Sequence, residues 1–261
     1  MTDQEILQLI SISGLPDGIK THCELQLEQK IASSFWHALR GNPHRTIAAI
    51  GKLLMAVGGI LDKTPTQLLE AADFHPQDTN PGRLESALAE FRGIGFLDTQ
   101  GFSELHLLKH ADGTKRADIV GRKNGFLYSF DVWCSSSLCE RTLDPIIVLD
   151  KPDQPRNSDT KLDHLLVAKY QEKMSQLQAT CTQFNCKRHG LIFVVNSPDV
   201  VRFYKQDDYL ECLKNVYAEL NRPETWHFSI VTGTQGGDAV FPEWPISNNM
   251  LLTKRTLQVK I

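Results

Sequence analysis

The chain has 261 residues, 41% hydrophobic and 23% charged, which suits one large domain or two small ones and is too apolar for a disordered protein. Its net charge of −3 excludes a generally basic protein, so any surface for nucleic acid must be local. Six cysteines do not make a disulfide scaffold, and the longest unbroken apolar run, the nine residues Leu53 to Leu61, falls short of the roughly 20 of a membrane span. The N-terminus, Met1-Thr-Asp-Gln-Glu, is acidic where a signal peptide is basic and then apolar, so the expectation is a cytoplasmic protein with no membrane partner.

Residues 1–75 read as helical. Between Glu24 and Leu39, the apolar residues Leu25, Leu27, Ile31, Phe35, Trp36 and Leu39 recur near a 3.6 period, which predicts one helix. Asn42-Pro43 marks a break. Thr46 to Leu61 is apolar nearly all round, so a buried helix is expected, and Thr64 and Pro65 supply the N-cap and first position of another. Such helices form either a helix-turn-helix module or a packing cap on the following domain, and the cap is preferred. Residues 74–82 are a polar, proline-containing linker. Arg83 to Phe91 then carries Leu84, Leu88 and Phe91 on one helical face, with Gly93-Ile-Gly95 as the expected stop.

Three strands are predicted next, at Phe102–Leu108, Ala117–Arg122 and Phe126–Trp133, the last two joined by the tight-turn pair Asn124-Gly125. Residues 134–160 read as an exposed insertion with a short strand at Ile146–Leu149. A long helix from Thr160 to Phe184 leads to a buried strand at Gly190–Val195. Helices opening at Ser197-Pro198-Asp199 and spanning Tyr209–Leu220, a strand at Trp226–Thr232 and an edge strand at the end complete the chain. The division is a helical region 1–75, a core 83–200 with the insertion 134–160, and a C-terminal extension 201–261 packed on that core.

Three acids stand at informative places in the core. Glu85 lies in the first turn of its helix, Asp118 in the second strand, and Asp131 near the end of the third strand across the hairpin. Magnesium-like cations take hard oxygen ligands, commonly a few carboxylates plus waters and a phosphate. An ion so held can activate water and stabilise charge on a phosphodiester.

The run Leu84-Glu85-x2-Leu88-x2-Phe91-x3-Gly95-Phe96, then Arg116-Ala-Asp118-Ile-Val, then Phe130-Asp131-Val-Trp133, resembles the PD-(D/E)XK nuclease superfamily. Lys169-Tyr170-Gln171, Gln176-Leu177 and the strand Leu191–Val195 extend the match, which covers roughly residues 83–200. The resemblance implies an α+β or α/β protein with a restriction-endonuclease-like αβββαβ core, a helical N-terminal segment and a C-terminal extension. It implies a hydrolase of DNA phosphodiesters, an endonuclease dependent on Mg²⁺ or Mn²⁺, with Asp118 and Asp131 as metal ligands and Glu85 as an accessory acid. Defence, repair or mobile-element processing are the settings it suggests.

One position departs from the family. The motif ends Asp/Glu-x-Lys, whereas Asp131-Val132-Trp133 puts a tryptophan on the same strand face as the aspartate. Either the lysine function has moved, or the site is inactive and the fold serves as a nucleic-acid or protein binding and assembly module, including a homodimer. The long helix bears on this choice. At 100° per residue, Lys169, Lys173 and Gln176 fall within the sector of its apolar residues, where an unpaired ammonium is costly. Lys169 or Lys173 is therefore the candidate replacement, with Gln176 nearby, and snorkelling of both lysines to solvent is the competing reading.

Other features are weaker. Lys115-Arg116 and Arg122-Lys123 could touch phosphates. His106 and His110 read as surface residues, and Trp133, Trp226 and Trp244 as core aromatics rather than base-stacking platforms. The equal spacing of Cys134-x4-Cys139 and Cys181-x4-Cys186 admits a four-thiolate metal cluster, although reduced cysteines near element ends explain it better.

Overall fold

The computed structural model describes residues 1–29, 34–80, 82–109, 116–134, 159–195, 225–232 and 238–241. Expected features at 135–158, 196–224 and 242–261 lie outside the described residues.

Seven helices and one sheet make up the described chain. The helices are α1 (Asp3–Ile12), α2 (Asp17–Glu28), α3 (Ser34–Gly41), α4 (Pro43–Leu61), α5 (Pro65–Ala71), α6 (Arg83–Thr99) and α7 (Asp159–Phe184). The strands are β1 (Ser103–Leu107), β2 (Ile119–Lys123), β3 (Phe126–Cys134), β4 (Arg188–Val195), β5 (Thr225–Thr232) and β6 (Asp238–Phe241). They form one mixed sheet in the order β1-β2-β3-β4-β5-β6. β1, β2 and β3 run antiparallel, β4 and β5 run parallel to β3, and β6 is antiparallel to β5. The architecture is mixed α/β. The parallel step from β3 to β4 needs a long crossover, which α7 supplies.

The N-terminal reading needs correction in two places. The stretch from Glu24 to Leu39 is not one helix. α2 ends at Glu28 and α3 begins at Ser34, where the Phe35 amide donates to the Glu85 carboxylate at 2.8 Å. Two short helices let Ile19 and Cys23 on one, and Phe35, Trp36 and Leu39 on the other, enter the same core from different directions. Asn42-Pro43 breaks the chain between α3 and α4 as expected, but α4 begins three residues earlier than expected: Asn42 caps the Arg45 amide at 3.2 Å and Pro43 takes the first position, where its missing N–H is harmless. α4 is also not buried all round. Ile50, Leu54 and Val57 face inward, while Met55 on the other side is exposed. By length and composition α4 passes the test for a membrane span that the nine-residue run fails, and it is the single described helix that does so. Thr64 caps α5 as expected, in a reciprocal capping box with Gln67.

α1–α5, α6 and the sheet share one apolar cluster, running from Ile6 and Trp36 through Leu54 and Leu68 to Phe91, Phe130 and Val194. α6 joins the two halves, and it runs on through Gly93-Ile-Gly95 to Thr99. A Cβ at Gly93 would sit 3.0 Å from Ile119 Cδ1, 3.2 Å from Val132 Cγ2 and 3.5 Å from Ile192 Cδ1. The glycine lets the helix lie close on β2, β3 and β4 instead of ending it. Gly101 ends it. In the left-handed region at φ +77°, it sends its amide to Asp98, and the next amide, of Phe102, reaches Leu97 at 3.0 Å. That pairing is a Schellman motif.

A valine at position 93 has no room against three packed branched side chains. Gly93→Val is expected to cost about 2 kcal/mol or more of unfolding free energy in urea denaturation, because overpacking outweighs the gain in helix propensity.

Candidate functional site

The site lies where β2 begins and β3 ends. The rungs of this antiparallel pair run to Ile119↔Phe130, so Asp118 and Asp131 are the next residues across the ladder. Ile119 and Val132 face α6, so the two aspartates project to the other side, toward α7. Directly opposed side chains lie about 5 Å apart at Cβ, and like charges there repel. Asp131 is fully buried and Asp118 nearly so.

α7 closes over them with polar residues on one stripe. Lys173 Nζ lies 3.0 Å from Asp131 Oδ1. Gln176 Nε2 donates to Asp131 Oδ2 and to the carbonyl of Arg116. The Thr180 hydroxyl accepts the Ala117 amide at 2.8 Å and donates to the Gln176 carbonyl at 3.0 Å. Asp118 Oδ2 accepts the Val132 amide at 2.6 Å, which ties the entry of β2 to the end of β3. Lys173, Gln176 and Thr180 follow the three- and four-residue steps of one helix face.

Charge at the site is unbalanced. Burial, reinforced by the adjacent Asp118 carboxylate, holds the Asp131 carboxyl well above its ordinary range despite the pull of Lys173. Burial alone would depress the Lys173 ammonium, but the charges of Asp131 and Asp118 more than offset it and leave its pKa raised. Glu90, on α6, is pushed up as well, by burial of its carboxyl and then by Asp118, with Arg83 opposing. Its residue keeps some exposed surface.

The structure brings together Asp118, Asp131, Lys173 and Gln176. It does not bring in Glu85 or Lys169. Glu85 is buried in the helical layer, where it caps α3, about 140° round α6 from Glu90. Lys169 pairs with Glu172 at 2.6 Å on a more exposed part of α7. Glu90 is the acid on α6 whose charge is coupled to the two aspartates, and sequence reading passed over it. Its signal was the close-packing glycine: residues three apart share a helix face, and Gly93 marks the face against the sheet. Thr180 was likewise missed, since a threonine inside a helix carries no motif.

Trp133 is buried, as a core aromatic would be. Of the basic strip, Arg116 contributes its carbonyl to Gln176, Arg122 pairs with Glu104 at 2.8 Å, and Lys123 donates to the Gln100 carbonyl beside the Phe102 ring. His106 is exposed, while Lys115, His110 and Trp244 lie outside the described residues. A four-cysteine cluster is ruled out. Cys134 pairs with Val194, whereas Cys186 precedes β4 at the level of Phe126, eight residues back along β3, or about 26 Å. Among the described residues no three His, Cys, Asp or Glu side chains are arranged to hold a metal ion. No protein-family model matches the chain, and neither a curated protein nor a solved structure matches it.

Two variants test this electrostatic picture. A carboxyl with a raised folded pKa binds protons more tightly folded than unfolded, so stability falls as pH rises from about 4 through that folded value. Asp118→Asn keeps an oxygen for the Val132 amide and removes the like charge. It is expected to raise stability at pH 7 by about 1 kcal/mol and flatten this decline, as read by urea denaturation across pH. Lys173→Met leaves Asp131 without its counter-charge. It should lose about 2 kcal/mol at pH 7, less than a fully buried pair because Lys173 is part-exposed, and recover much of that on acidification.

Proposed function

We propose that the chain is a divergent PD-(D/E)XK-type nuclease that hydrolyses DNA phosphodiesters with Mg²⁺ or Mn²⁺. The observation that carries this reading is the buried pair Asp118 and Asp131 with Lys173 at 3.0 Å from the second aspartate. In this reading Lys173, arriving from α7, stands in for the lysine that Trp133 displaces. The order α6-β1-β2-β3-α7-β4, with β3 and β4 parallel, agrees with the αβββαβ core the resemblance implies.

The donor chemistry suits a hard divalent cation. Two carboxylates in contact carry more negative charge than one lysine neutralises, and magnesium-like ions use one or two carboxylates, waters and a substrate phosphate. Asp118 and Asp131 would hold the ion, which supplies positive charge to the phosphodiester and acidity to water. Lys173 would move from Asp131 toward the phosphate as the ion takes over neutralising the carboxylate. Gln176 would keep Asp131 aimed, through its second contact at the Arg116 carbonyl.

A second reading has its own support. Asp131 Oδ2 already accepts from Gln176 and its Oδ1 is paired with Lys173, and Trp133 is buried where the family keeps a lysine. That suits an inactive module retained to bind nucleic acid or a protein partner, including a second copy.

Calorimetric titration with Mn²⁺ separates the two, on the wild type and on the double variant Asp118→Ala, Asp131→Ala, with hydrolysis of labelled DNA and RNA followed in the same buffers. The nuclease reading expects binding near the micromolar range and Mn²⁺-dependent cleavage of DNA, both lost in the double variant, and cleavage reduced at least 100-fold by Lys173→Met. Equal, negligible binding by two folded proteins overturns it and leaves the binding module.

A further inference from the structure

The Cys181-x4-Cys186 spacing has a structural meaning apart from the acidic site. α7 ends in a Schellman turn. Asn185 takes the left-handed conformation at φ 52°, its amide reaches the Thr182 carbonyl, and the Cys186 amide donates to the Cys181 carbonyl at 2.8 Å. In this motif the side chains three residues inside the helix end and two beyond it pack together. Here both are cysteines. Cys181 Sγ donates to the Cys186 carbonyl at 3.1 Å, and the two thiols lie close enough to perturb one another. Each is only partly buried.

Their backbones lie within the reach of a disulfide. With standard bond lengths, a main-chain bond of 2.8 Å between Cys181 O and Cys186 N holds the two Cα atoms within about 6.7 Å. Disulfides span Cα separations of roughly 4.4–6.8 Å. Cys23, by contrast, is fully buried among the N-terminal helices, and burial pushes its thiol up to about 12.

We propose that Cys181 and Cys186 form a reversible oxidation site that closes to an intrachain disulfide by exchange with a low-molecular-weight disulfide. One cysteine thiolate attacks a sulfur of the small disulfide, forming a mixed disulfide and releasing one small thiolate. The second cysteine, losing its proton to solvent, attacks the protein sulfur of that mixed disulfide and releases the other. The protein dithiol loses two electrons and two protons, and the small disulfide becomes two thiols. Burial raises both cysteines above the ordinary thiol range, so closure speeds up as pH rises through 8 to 9. The bridge would staple the end of α7 one residue beyond Thr180, whose hydroxyl holds the Ala117 amide.

Trypsin provides a direct reading. No lysine or arginine lies between Lys173 and Lys187, so peptide 174–187 carries both cysteines and no other. The intact protein is equilibrated in buffers of oxidised and reduced glutathione, remaining thiols are alkylated, and the peptide is weighed. The expected product is the unalkylated peptide lighter by two hydrogens, formed while Cys23 is still fully alkylated once the protein is unfolded, and reversed by reduced glutathione. The oxidised protein should melt about 5 °C higher. Cys181→Ser should stop the mass loss and trap glutathione on Cys186. Two glutathiones on peptide 174–187 of the wild type would overturn the proposal. So would a peptide that stays fully reduced in oxidised glutathione at pH 8.5, or a bridge from either residue to another cysteine; each readout is independent of nuclease activity.

Discussion

A carboxylate placed wholly out of water must be compensated, and the Asp131 side chain imposes that demand on its neighbours. Its compensation comes from α7, through Lys173 and Gln176, and the same helix stripe reaches on to Arg116 and Ala117 at the entry of β2. Polar bonds thus set the rotation of α7 against the sheet as firmly as apolar burial does. Turning α7 would leave the Gln176 and Thr180 contacts unmade in a buried place.

The opposite face of the sheet follows a different rule. There α6 approaches through Gly93, close to Ile119, Val132 and Ile192, and contact is by shape alone. This closeness carries the Glu90 carboxyl into electrostatic range of Asp118 and Asp131. The acids therefore come from both layers and from two strands. Their mutual repulsion is a local cost that the apolar cluster from α1 to β4 absorbs.

Much of the core was legible along the chain. Asn124-Gly125 pinned the β2–β3 hairpin, with both residues in the left-handed region, and thereby set Asp118 opposite Asp131. The helical sector of α7 singled out Lys173 and Gln176 as polar groups on the sheet side. What misled was punctuation. Gly93-Ile-Gly95 reads as a stop, because glycine signals a break in isolation, and in the folded chain it is a contact surface inside α6. Asn42-Pro43 is a break, but α4 starts at the proline itself rather than three residues later. Glu85 and Glu90 show the same reading at fault: both sit on one helix, and a glycine taken as a stop hides that Gly93 marks the face Glu90 shares.

By itself the sequence determined the order of elements in the core, from the helix opening at Arg83 through the three strands to the long helix and the strand after it, since periodicity, caps and tight turns act over a few residues and need no distant partner. It also determined that two aspartates would face one another across a hairpin, because register follows from the turn. Tertiary structure decided which lysine meets them and which glutamate lies near them. Those choices depend on helix rotation and on the approach of one layer to another. Such quantities are set by packing between residues far apart in the chain, such as Asp131 and Lys173, a separation over which local pattern carries no information.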